Sequence, residues 1–282
     1  MSKLKKAIEK AKVERQEPGA AVVTPGNASG MPQGAVIAPG GPKVESSKPV
    51  PTPAPKPTKT RVVRLNHEHL KKNRIVSLFR QGQVSDQIKI LRTQVLNRMK
   101  ELKGNSLMIT SANPKEGKTL TAINLAVSIA QEVNRTTLLV DADLRNPSIH
   151  HVLGFEVKQG LSDYLLGKAE LESLFVNPGV DKLTILPAGK PFPDSTELLG
   201  GPIMDALVRE LKDRYKDRFV IFDTTSLLTR ADAIVFSNYI DGILLIVEAE
   251  RTTSRQLERA MTLLKDRPLV GTMFNKAKSF ES

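Results

Sequence analysis

Residues 106–119 read Ser-Leu-Met-Ile-Thr-Ser-Ala-Asn-Pro-Lys-Glu-Gly-Lys-Thr, and a helical run, Leu120–Glu132, follows at once. Ser106–Thr110 is a short apolar strand pattern, so the Gly-Lys-Thr triplet falls where a strand turns into a helix. A turn of that kind presents inward-facing backbone N–H groups, a helix N-terminus, one long cation and one hydroxyl. That set holds a phosphate chain and its magnesium ion. The spacing is that of a Walker A loop, A-x-x-x-x-G-K-T, with Ala112 in the first glycine place. Asn113, Pro114, Lys115, Glu116, Gly117, Lys118, Thr119 and Leu120 are therefore expected to cradle ATP. Within that cradle Gly117 permits close approach, Lys118 reaches the β- and γ-phosphates, and Thr119 ligates Mg²⁺. A bare Gly-Lys-Thr at a helix start also arises by chance; the strand before it and the helix after it favour the nucleotide.

Outward from this loop, β and α patterns alternate. Residues 84–101 predict a helix, with Ile88, Leu91, Val95 and Met99 three or four apart. Thr137–Asp141, Lys182–Pro187, Phe219–Asp223, Gly242–Val247 and Leu269–Phe274 predict strands, whereas Thr196–Tyr215 and Thr253–Leu264 predict helices. Strands written as unbroken apolar runs are buried on both faces. The expected fold is thus an α/β P-loop NTPase, a mostly parallel sheet with helices on both sides. No internal repeat is present.

Two of those strands end in aspartate: Leu-Leu-Val-Asp141-Ala-Asp143-Leu-Arg145-Asn-Pro147, and Phe-Val-Ile-Phe-Asp223-Thr224. In a parallel sheet the carboxyl ends of neighbouring strands form the ligand crevice. Carboxylates placed there hold Mg²⁺ or orient and deprotonate an attacking group. A single strand-ending Asp more commonly caps the next helix. Three in order after a phosphate loop reverse that preference.

Composition bounds the rest. The 282 residues carry 42 Lys+Arg against 30 Asp+Glu, a formal +12, and no Cys. The cysteine count excludes a disulfide framework, a thiolate zinc site and a cysteine nucleophile. No apolar run nears the ~20 residues of a membrane span, so a cytoplasmic protein is expected. Residues 1–74 hold 15 Lys/Arg and 5 Asp/Glu, so +10 of the net +12 lies in the first quarter of the chain. Three zones follow. Residues 1–17 form a short basic amphipathic helix, with Leu4, Ile8 and Ala11 at helical spacing. Residues 18–60 form a linker with ten Pro and six Gly over 18–58, too poor in apolar area to fold. Residues 61–282 form the ATP-binding domain. The basic helix has few aromatics and no groove-reading motif, so no specific nucleic acid is expected as a partner.

From Asp86 onward the chain resembles the cytoplasmic bacterial tyrosine kinases of exopolysaccharide biosynthesis, in particular their exosortase-associated subgroup. MITSANPKEGKTLTAINLAVSIA, TLLVDADLRNP, GLSDYLLG, LPAGK, ELLGG and RYKDRFVIFD carry the resemblance, as do KLKKAIEKAK and NRIVSLF before them. It implies Walker A, A′ and B motifs, with Thr119, Asp141 and Asp223 serving the metal. It further implies that Lys118, Asp141 and Asp143 are catalytic, the two carboxylates activating an acceptor tyrosine hydroxyl. Asn275 would contact adenine; as a residue after the last strand it reads equally well as a turn. The expected partner is the activating segment of a membrane polysaccharide co-polymerase, which would recruit the kinase to the inner face of the plasma membrane. Asp86, Lys89 and Arg92 stand in milder form for the family's E-x-x-R-x-x-R ring motif. They read either as an oligomer interface or as a solvated helix face.

Four departures qualify the resemblance. Lys115 replaces a usual glycine, and Thr225-Ser226 replace a usual Pro-Pro. Asn113 occupies the place of the signature lysine of partition ATPases, which argues against those relatives. The final residues, KAKSFES, hold no tyrosine cluster, and the three tyrosines are Tyr164, Tyr215 and Tyr239. Two functions are consistent with the loop: a Mg²⁺- and ATP-dependent protein-tyrosine kinase of polysaccharide chain-length control and export, or an ATP-binding scaffold of the same machinery without kinase activity.

Overall fold

A computed structural model describes residues 60–79, 82–214 and 217–277. The expected N-terminal helix, nearly all of the linker, Tyr215 and the last five residues lie outside these. Among the described residues, eight strands form one sheet. They are β1 (Arg61–Val62), β2 (Ser106–Ser111), β3 (Thr136–Asp141), β4 (Val176–Asn177), β5 (Leu183–Leu186), β6 (Arg218–Asp223), β7 (Gly242–Glu248) and β8 (Leu269–Asn275). Their order is β1-β4-β5-β3-β6-β2-β7-β8. Every pairing is parallel except that of β4 with β5.

Because side chains alternate across a strand, each central strand contributes to two cores. Met108, Val140, Phe222 and Leu245 face one side; Leu107, Ile109, Leu139, Ile221 and Ile246 face the other. Four helices of ten or more residues cover them: α1 (Gln83–Glu101), α2 (Lys118–Ala130), α3 (Pro202–Asp213) and α4 (Ser254–Leu263). The first face packs against Met204, Leu207, Val208 and Leu211 of α3 and Ala260 of α4. The second packs against Val95 and Met99 of α1 and against α2. Helix α2 is buried from Thr121 to Ala130. Such burial requires its mostly small and apolar sequence.

One expected element is corrected. The helix read over 196–215 is two helices, Ser195–Leu199 and α3, separated at Gly200-Gly201. Pro202 has no N–H to continue the first helix, yet its fixed φ suits the first position of the second. The two-residue strands β1 and β4 extend the sheet beyond what periodicity predicted. In the centre of the sheet, the register pairs Asp141 with Asp223 and Ile109 with Asp223. The carboxyl ends of β2, β3 and β6 therefore converge on the start of α2.

Candidate active site

The loop between β2 and α2 turns through two left-handed residues, Lys115 at φ +66° and Gly117 at φ +97°. Gly117 is obligatory on two counts. Its φ disfavours any side chain, and a Cβ there would lie 2.1 Å from Nδ2 of Asn275. Lys118 opens α2, so the first-turn N–H groups, which no helix satisfies internally, face the crevice.

Across the crevice the loop meets the strand-end carboxylates. Lys118 Nζ lies 3.0 Å from Asp143 Oδ2, and Thr119 Oγ1 donates to Asp223 Oδ2 at 2.5 Å. Ser148 Oγ is 3.1 Å from Thr119 Oγ1. Asp141 Oδ2 accepts from the backbone N–H groups of Ser148 and Ile149 at 3.0 and 3.1 Å. Asp143 Oδ1 accepts from Asn146 N at 3.0 Å. The structure thus brings together Lys118, Thr119, Asp141, Asp143 and Asp223.

Burial governs the charges here. It pushes the Asp141 carboxyl up to about 8, with Asp223 adding repulsion. Burial also raises Asp223, to about 6, although Lys118 and Thr119 pull it back. Burial alone would lower the Lys118 ammonium; Asp223, Asp143 and Asp141 more than reverse that and raise it.

The residues fit a magnesium ion. Asp141 Oδ1 and Asp223 Oδ1 are buried without a hydrogen-bond partner, and both are hard oxygen donors. Among the described residues no group of three or more His, Cys, Asp or Glu side chains could hold a metal alone. An ion such as Mg²⁺ takes one or two carboxylates and leaves the remaining positions to phosphates and water.

Other expected residues lie differently. Asn275 Nδ2 donates to Glu116 O at 2.8 Å, so its side chain contacts the phosphate loop itself. Glu116 is buried, its Oε1 accepting from Asn113 Nδ2 at 2.9 Å and from Thr252 Oγ1. Asn113, Pro114 and Lys115 line a cavity of about 450 Å³ with Arg251 and Gln256. Leu120 is half-buried in the first turn of α2. Asp86 and Lys89 pair with each other at 2.8 Å on the exposed side of α1. Arg92 does not share that exposure. It donates to Ser128 O at 3.1 Å and pairs with Glu132 at 2.8 Å, closing the C-terminal end of α2.

Sequence reading missed a cluster beside the site. Asp232, buried, accepts from Arg145 Nε at 3.2 Å, from Thr196 Oγ1 at 2.5 Å and from Ser195 Oγ. It ties the loop after Asp143 to the helix at Ser195. Arg145, two residues past Asp143, was the available signal. Thr252 and Gln256 were also missed, although the Thr253–Gln256 capping box marks their location.

No model of a known protein family matches the sequence. Among curated proteins the chain is 36% identical over 196 residues to tyrosine-protein kinase YwqD of Bacillus subtilis, covering 69% of this chain and 81% of that one. Among solved structures it is similar to the chimerical protein CapA2B2, at 26% identity and TM-score 0.68, covering 77% of this chain and 93% of the other. It is likewise similar to the kinase domain of Escherichia coli tyrosine kinase ETK, at 31% identity and TM-score 0.62, covering 69% and 78%.

Proposed function

The chain belongs to the bacterial tyrosine-protein kinases, and from that premise we propose that it transfers the γ-phosphoryl group of ATP to tyrosine in the production of an exopolysaccharide or capsule. One observation carries the reading. The phosphate-loop lysine and hydroxyl each meet a carboxylate at or just past the end of a central strand, Asp143 at 3.0 Å and Asp223 at 2.5 Å.

The roles follow from the chemistry. The α2 N-terminus and the loop N–H groups hold the phosphates, and Lys118 balances their charge through the transition state. Thr119 and Asp223, with Asp141 beside them, are the residues that would hold Mg²⁺; when bound it supplies neutralisation of the phosphate charge. Lys118 exchanges Asp143 for phosphate when ATP enters. Asp143 is then released to accept the phenolic proton of the acceptor tyrosine, with Asp141 next to it. Asp141 is fixed by two backbone donors, so it is placed before substrate arrives.

The proposed partner is the cytoplasmic activating segment of a membrane polysaccharide co-polymerase, which also brings the kinase to the inner face of the membrane. Support comes from the family. In addition, no helix among the described residues is long and apolar enough to cross a bilayer. Self-assembly would use the exposed side of α1, where Asp86, Lys89, Val84 and Ile90 lie, and Arg92 would act within its own chain.

The test is incubation of the full chain with labelled ATP and the co-polymerase segment, followed by phosphoamino-acid analysis. Phosphotyrosine that disappears in Lys118→Met is the expected result. MgATP binding without any phosphotyrosine would replace the kinase by an ATP-binding scaffold of the same machinery.

A further inference from the structure

The side chain of Glu116 has no part in the chemistry above, yet it is 1% exposed, and its Oε2 is buried with no hydrogen-bond partner. A buried carboxylate is costly, and an apolar residue of like size would sit there more cheaply. What the carboxylate does is fasten the phosphate loop to segments far away in sequence. Its Oε1 accepts from the Thr252 hydroxyl, 136 residues on, and from Asn113 within the loop. Thr252 Oγ1 in turn accepts from Glu248 N at 3.2 Å, the last residue of β7. Three further contacts join the same two bodies. Asn275 Nδ2 donates to Glu116 O, Lys276 Nζ donates to Lys115 O at 2.8 Å, and Gln256 Nε2 donates to Asn113 Oδ1 at 3.3 Å.

The outer arm of the loop is thus held from the ends of β7 and β8 and from the first turn of α4. Lys115 keeps a left-handed conformation there that a lysine does not adopt freely. The backbone N–H groups that receive phosphate are aimed by this attachment, since the loop contains no regular structure of its own.

We infer that Glu116 is a positioning residue, a brace that sets the phosphate loop in its binding shape before ATP arrives by tying it to Thr252. Its side chain is committed to Thr252 and Asn113 rather than to the crevice. The inference rests on the nucleotide reading of the site but is separately testable, because the brace exists without nucleotide.

The test is run on the full chain in two readouts. Hydrogen exchange at the amides of residues 115–119 is measured without nucleotide, and MgATP affinity and turnover are measured with it. Glu116→Ala should speed loop exchange about ten-fold and raise KM for ATP by a similar factor, the size expected for losing one buried hydrogen bond. The rise in KM should exceed any change in turnover at saturating ATP. Glu116→Gln should restore both, because its amide oxygen still accepts from Thr252. Thr252→Val, which removes only a hydroxyl, should shift both readouts the same way, and Glu116→Ala with Thr252→Val should be no worse than Glu116→Ala alone. Loop exchange unchanged in Glu116→Ala and Thr252→Val would overturn the brace, as would effects that simply add. Wild-type protein that binds no MgATP would remove the nucleotide reading, while the exchange data would still decide the brace.

Discussion

At the scale of single residues, the site buries three carboxylates, Asp141, Asp143 and Asp223, beside the phosphate loop. Asp141 and Asp223 are register partners on β3 and β6, both fully buried. The consequence for stability has a definite sign. Below about pH 4 the Asp141 carboxyl is neutral in both folded and unfolded chains. Between about 4 and 8 the unfolded chain releases a proton that the folded protein keeps, so the stability associated with this group is lost as pH rises toward 8. Asp141→Asn should therefore melt higher than wild type at pH 8, without nucleotide and with magnesium chelated, by at least about 3 °C. The gap should close as the pH falls to 4. A variant that melts lower than wild type at pH 8 would show that the carboxylate is not strained there. The residues of this site were largely legible in advance, because a Gly-Lys-Thr at a strand–helix turn and aspartates at strand ends are local patterns. Glu116 was legible only as a loop member; its burial depends on Thr252 and Asn275, which the sheet delivers from over a hundred residues away.

At the scale of elements, the phosphate-loop helix α2 is the hub. Its N-terminus faces the crevice, its middle is buried on all sides, and Arg92 of α1 sits at its C-terminal end. A cation there satisfies an otherwise free carbonyl and complements the helix dipole. Arg92→Ala should cost about 1 kcal/mol of stability, a figure that allows for the partly exposed Glu132 partner. Asp86→Ala and Lys89→Ala should each stay within about 0.5 kcal/mol, since theirs is a surface pair. Chemical denaturation of the three variants separates these outcomes. If Arg92→Ala were as stable as wild type but lost self-association, the assignment of Arg92 to its own chain would be wrong. Helical spacing set the three charges on one helix but could not say which of them turns inward, because that depends on where α2 packs. The central strands were visible as unbroken apolar runs. The break at Gly200-Gly201-Pro202 was overridden by apolar periodicity on both sides, though its breaker residues were in plain sight.

At the scale of the whole molecule, a mostly parallel sheet gathers loop, helix N-terminus and carboxylates at the carboxyl ends of its central strands, and β7 and β8 reach over to steady the loop. The basic first quarter of the sequence contributes none of these groups. Every proposed step therefore depends on MgATP binding at these strand ends through Lys118. Asp223→Asn keeps the size of the side chain and removes charge beside Thr119, so its deficit should fall mainly on turnover and on the Mg²⁺ dependence of binding. The most direct measurement is calorimetric titration of wild-type protein and Lys118→Met with MgATP. The loss of one charge-assisted phosphate contact should weaken binding about ten- to hundred-fold in the variant, with the loop N–H cradle intact. Equal MgATP affinity in the two proteins would contradict the assignment of the phosphate loop and the kinase chemistry built on it.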